Sequence, residues 1–138
     1  MRFATLFALV LASTDAAACP GLAVENGWVR EAPPGAMSAA YGKLTNRGKH
    51  TLVVDGARSA DFGGAGLHRT VIDDRGVAGM REGSLTLAPG ASAVLESGGW
   101  HLMLSEPTRL LKAGDIVSLA LTCGSTAREF AFTVKAAE

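Results

Sequence analysis

Beyond its N-terminal stretch this sequence never settles into a helical period. It is cut instead into short β-prone runs, each closed by Gly, Pro, Asn or Asp. The runs are "LAVENGWVREA" around Trp28, "SAAYGKLTN", "HTLVVDGARS", "GLHRTVIDDRGVAGM", "GSLTLAPG", "ASAVLESGG", "WHLMLSEP", "DIVSLALTC" and "REFAFTVK". "HTLVVDGARS" reads as a single strand, and "GLHRTVIDDRGVAGM" as a hairpin with "DDRG" at its tip. A stiff "APPGA" loop and the loop "EPTRLLKAGD" separate other runs, and "TRLLKAG" has room for one helical turn at most. Turns at such short intervals restrict the chain to an all-β sandwich or barrel. No heptad, fixed-period repeat or low-complexity tract competes with that reading.

A chain of 138 residues is expected to fold as one domain with a sizeable core. Lysine plus arginine equals aspartate plus glutamate, 13 each, so no electrostatic case for nucleic acid or an anionic membrane follows. The opening "MRFATLFALVLASTDAAAC" has a positive Arg2, an apolar run from Phe3 to Ala12 and a small-residue cleavage site at Ala16–Ala18. It is too short for a comfortable membrane span. Residues 1–18 are therefore read as a secretory signal, and residues 19–138 as a single exported domain without a membrane span. Two cysteines remain, Cys19 and Cys123, and in an oxidising compartment they are expected to pair. The rival fate is acylation of Cys19 as a lipoprotein. "DAAAC" lacks the large aliphatic residue usual at such sites, and acylation would leave Cys123 as an odd thiol.

The runs also carry an unusual set of donors. Alternation along "WHLML" turns Trp100, Leu102 and Leu104 to one face and His101 and Met103 to the other. After the signal there are only three histidines, at 50, 68 and 101, and three methionines, at 37, 80 and 103. His68 and Met80 flank the "DDRG" turn, so folding the hairpin brings them opposite or nearly so, depending on register. Four neutral donors can thus converge: His68, Met80, His101 and Met103. Thioether sulfur suits Cu(I) and is a poor ligand for hard cations, whereas zinc would want cysteines, more histidines or a carboxylate. Taken singly, each of these residues is more often core or surface. Together they use most of a scarce supply. His50 is assigned to the surface. Met37 is assigned to packing or loop, with an auxiliary donor role the alternative.

Other functions fit less well. A blue-copper electron carrier needs a thiolate beside two histidines, and Cys123 has no histidine within several residues. No nucleophile elbow and no HExxH supports a hydrolase, and no enzymatic activity is expected. A metal-free secreted β-sandwich binding module would explain the fold and the disulfide. It would leave the shared placement of two His and two Met unexplained.

The stretch "LHRTVIDDRGVAGMREGSLTLAPGASAVLESGGWHLMLSEP" resembles the core of the periplasmic copper chaperones of the PCu(A)C type. Their pattern is a His, a Met about a dozen residues on, then His-X-Met after a glycine-rich turn. The upstream "NGWVREAPPGAMSAAYGKLTNRG" resembles the same family in its Trp, its "APPG" loop and its "Y…LTN" strand. The resemblance implies a cupredoxin-like Greek-key β-sandwich, a periplasmic location and a Cu(I) site made of His68, Met80, His101 and Met103. It further implies delivery of copper to the CuA site of cytochrome c oxidase or to another copper protein, and a monomer is expected. Arg69 and Thr70 stand where family members often carry another methionine, and "ESGGW" replaces proline-glycine-glycine. The ending "FTVKAAE" lacks a His- and Met-rich Cu(II) tail, so one Cu(I) per chain is expected.

Overall fold

A computed structural model of the protein describes residues 18–136. The expected signal lies outside the described residues except for Ala18. Eleven strands follow one another: β1 (Leu22–Arg30), β2 (Ser38–Asn46), β3 (Leu52–Val54), β4 (Gly56–Arg58), β5 (Phe62–Ile72), β6 (Ala78–Glu82), β7 (Leu85–Leu87), β8 (Ser92–Leu95), β9 (Trp100–Pro107), β10 (Ile116–Cys123) and β11 (Thr126–Lys135). No helix forms among the described residues. The "TRLLKAG" segment takes no helical turn; Leu111 instead makes a β-bridge with Ala32.

Nine strands make one sheet in the order β4-β10-β11-β1-β2-β9-β5-β6, with β8 also paired to β2, and β3 and β7 form a separate ribbon. β1 runs parallel to β11 and antiparallel to β2, so the sheet is mixed. It curls: β4, at one end of the order, lies against β5, one strand from the other end. The period-two pattern supplies the inside of the curl. β10 turns Val117, Leu119 and Leu121 inward and leaves Ile116 and Ser118 exposed. Phe132, Leu44, Leu67, Leu95, Leu102 and Leu104 are among the other side chains of the fully buried centre. Each such side chain contributes roughly 1.5–3 kcal/mol relative to exposure.

"HTLVVDGARS" is not one strand. It divides at Asp55 into β3, paired with β7, and β4, paired with β10. The cause is a set of bonds to the end of β10. The Asp55 carboxylate accepts from the Thr122 hydroxyl at 2.6 Å and from the Gly124 amide at 3.0 Å, and the Asp55 amide donates to the Thr122 carbonyl at 3.0 Å. Buried Asn46 secures the neighbouring turn. Its side-chain amide donates to the carbonyls of His50 and Leu87, and its Oδ1 accepts from the Gly48 amide.

Cys19 and Cys123 form a disulfide with Cα atoms 5.6 Å apart, the pairing expected from the sequence. Cys19 is wholly buried and belongs to the core. The bridge spans 104 residues, a loop long enough for the cross-link to add on the order of 2–5 kcal/mol. Urea unfolding with and without reductant is expected to show a drop of that size, and Cys123→Ser should match the reduced wild type. An unchanged midpoint would mean that the bridge adds nothing to stability.

Candidate metal centre

The ladder between β5 and β9 pairs Gly66 with Met103, Leu67 with Leu102 and His68 with His101. Directly paired residues in an antiparallel ladder share a face. Leu67, Leu102 and Leu104 therefore fill the core, while Gly66, His68, His101 and Met103 line the opposite side. The His68 and His101 rings lie with centroids 6.3 Å apart. His101 is only 4% exposed, so its hydrogen bonding matters. Its Nδ1 sits 3.0 Å from the Gly99 carbonyl. A carbonyl can only accept, so Nδ1 carries the proton and Nε2 keeps a free lone pair. That Nε2 is buried without a hydrogen-bond partner, and so is Nδ1 of His68. Orphaned buried nitrogens of this kind are rare in proteins and suit metal ligation.

The hairpin register differs slightly from a direct His68–Met80 pair. β6 sets Glu82 opposite His68 and Met80 opposite Thr70. Since 68 and 70 share a face, Met80 still lies on the side of His68, two pairs nearer the tip. The tip is built as its residues dictate. The Asp73 carboxylate accepts from the amides of Arg75 and Val77, at 2.8 and 2.9 Å, and Gly76 takes the positive φ of 76° that closes the turn.

Met80, His101 and Met103 open on one cavity of about 360 Å³, together with Met37, Arg30, Tyr41 and Thr70. His68 stands beside His101 but outside this lining. Met80 is 56% exposed and Met37 63%. No carboxylate lines the cavity. Its one charge is the Arg30 guanidinium, which donates to the Tyr41 hydroxyl at 3.1 Å and lies 5.7 Å over that ring. Among the described residues no cluster of three or more His, Cys, Asp or Glu forms. Arg30 has no place in the donor set read from the sequence, and Tyr41 enters there only through the "Y…LTN" strand. Met37 is assigned there to packing or loop with an auxiliary donor role as the alternative, and its signal is that it is one of only three methionines beyond residue 18.

The His68 ring needs the missing side chain of Gly66. A β-carbon at Gly66 would stand 3.1 Å from His68 Nε2. Gly66→Ala is expected to move the His68 imidazole NMR signals and leave those of His50 in place, at a stability cost of about 1–3 kcal/mol. Unmoved His68 signals would mean that the ring does not lie over Gly66.

A family model, LpqE-like, matches residues 22–135. A curated protein of Leifsonia xyli subsp. xyli named "Putative lipoprotein Lxx21020" is 34% identical over 112 residues, which is 80% of this chain and 66% of that protein. The chain thus spans just under two thirds of that relative. Among solved structures, the apo PCuAC domain from PmoF1 has a TM-score of 0.68 at 19% identity, over 85% of this chain and 95% of that one. This likeness is one of fold. Apo-DR1885 from Deinococcus radiodurans has a TM-score of 0.65 at 27% identity, over 99% of this chain and 95% of that one. The structure of CuI-DR1885 has a TM-score of 0.62 at 28% identity, over 87% and 81%. The chain belongs to the LpqE-like family, and the resemblance to PCu(A)C-type copper chaperones extends from its motifs to its whole fold.

Proposed function

We propose that this protein is an extracytoplasmic copper chaperone. It takes up one Cu(I) on His68, Met80, His101 and Met103 and hands it to a copper-accepting protein. The observation that carries the reading is the buried, unpartnered Nε2 of His101 in a strand whose Met103 opens on the same carboxylate-free cavity. An imidazole locked in one tautomer by a backbone carbonyl is an oriented ligand. Thioethers beside it select a soft ion. The likeness to DR1885, whose structure was solved with Cu(I), supports the same choice.

Copper is cargo here, not a catalytic cofactor, and the proposed role is carriage. A neutral donor set holds Cu(I) less tightly than thiolates would. It also releases no proton from the thioethers when it binds, and a thioether, unlike a thiol, cannot be lost to a disulfide outside the cytosol. Resemblance to the PCu(A)C chaperones points to the CuA site of cytochrome c oxidase, or to another copper protein, as acceptor. A cupredoxin-like Greek-key arrangement and a single domain over residues 19–138 belong to the same proposal. So does export through the N-terminal signal, in line with a relative named as a lipoprotein. The Cys19 sulfur is committed to the disulfide, so we do not assign it a lipid.

Anaerobic Cu(I) competition titration tests the reading. One Cu(I) per chain is expected, with little zinc binding. Met80→Leu and Met103→Leu keep size and apolarity, so each should cost under about 1.5 kcal/mol in stability. Each should weaken Cu(I) binding by roughly tenfold or more, as should His101→Ala. Equal affinities across wild type and variants would end the copper reading in favour of a metal-free binding module.

A further inference from the structure

We infer that Met37 is an outer thioether donor, which engages Cu(I) at the mouth of the cavity as the ion enters or leaves. The inference rests on the copper reading above. Three methionines occur among the described residues, and all three line the same cavity: Met37, Met80 and Met103. Mere packing would not require this, because leucine fills comparable volume without sulfur. Met37 comes from a different part of the fold from the others. It ends the loop between β1 and β2, whereas Met80 and Met103 stand on β6 and β9.

That loop is held at both ends. Ala32 bridges to Leu111, the Ala36 amide donates to the Pro33 carbonyl at 3.1 Å, and the Ser38 hydroxyl donates to the Arg30 carbonyl at 2.5 Å. Pro33 and Pro34 stiffen it further. The backbone of Met37 is therefore fixed at the cavity rim, while its side chain is 63% exposed and unbranched. Such a side chain can swing toward the solvent side and back without disturbing the sheet.

Exchange at this rim is a ligand substitution. Met37 sulfur binds the ion as an inner donor leaves, or the reverse. Copper stays Cu(I), both donors are neutral, and no proton or electron moves. Met37 thus gives the ion a sulfur to hold while its inner bonds form or break. The inner donors set the affinity and Met37 sets the rate.

The test combines two measurements on the mature protein. With methyl-labelled methionine, substoichiometric Cu(I) is expected to shift the ε-methyl NMR signals of Met37, Met80 and Met103 together. In stopped-flow transfer to bicinchoninate, Met37→Leu is expected to slow Cu(I) release several-fold, with an equilibrium affinity changed far less than in Met103→Leu. Leucine keeps the apolar cover, so a mere lid would leave the rate unchanged. A Met37 signal that stays put while Met80 and Met103 move, or a wild-type rate in Met37→Leu, would overturn the inference and leave the copper reading intact. No movement at any methionine would remove the copper reading, and this inference with it.

Discussion

The ladder between β5 and β9 is the constraint on which the candidate site depends. Its register is held from the core side, where Leu67, Leu102 and Leu104 are fully buried. Slipping either strand by one residue would turn those leucines outward and drive its histidine into the apolar interior. An imidazole there would be desolvated with no partner, and three large side chains would lose their burial. The hydrophobic face therefore fixes which residues can meet on the other face. His68 opposite His101 and Gly66 opposite Met103 are consequences of where the leucines must go. Gly66 then leaves the space over which the His68 ring lies.

How much of this could be read beforehand depended on the range of the forces involved. The split of "WHLML" into an apolar and a donor face was legible, because strand period alone decides it. The hairpin tip at Asp73–Gly76 was legible because its bonds are local: an Asp carboxylate capping amides two and four residues on. The disulfide followed from counting two cysteines in a chain whose N-terminus reads as an export signal. Pairing Met80 with Thr70, not His68, was undetermined, since the turn chemistry permits more than one register. The break at Asp55 could not be seen at all. It is caused by Thr122 and Gly124, 67 and 69 positions away in the chain. For Met37 the sequence left packing and an auxiliary donor role both open, because its position on the cavity is set by how β1, β2 and β9 come together.

The charge pattern of the cavity bears on the proposed choice of Cu(I). Arg30 is its only charged lining residue, and its Nε is buried without a partner. A divalent ion at a given distance would be repelled by that guanidinium twice as strongly as a monovalent one. No carboxylate offsets the repulsion. Softness of the donors and charge of the wall therefore discriminate in the same direction, by independent means.

β6 has a consequence for motion. All five of its residues are exposed, and it is the last strand of the sheet. It has no buried side chain to anchor it, so its attachment rests largely on the backbone ladder to β5. Strands of that kind open at the low end of a protein's free-energy range, and their amides exchange with solvent well before those of the core. Met80 rides on this strand, while His101 and Met103 ride on β9, which is flanked by β2 and β5. One side of the cavity thus stands on a strand paired on both edges, and the other on an edge strand that can open at less cost than the core.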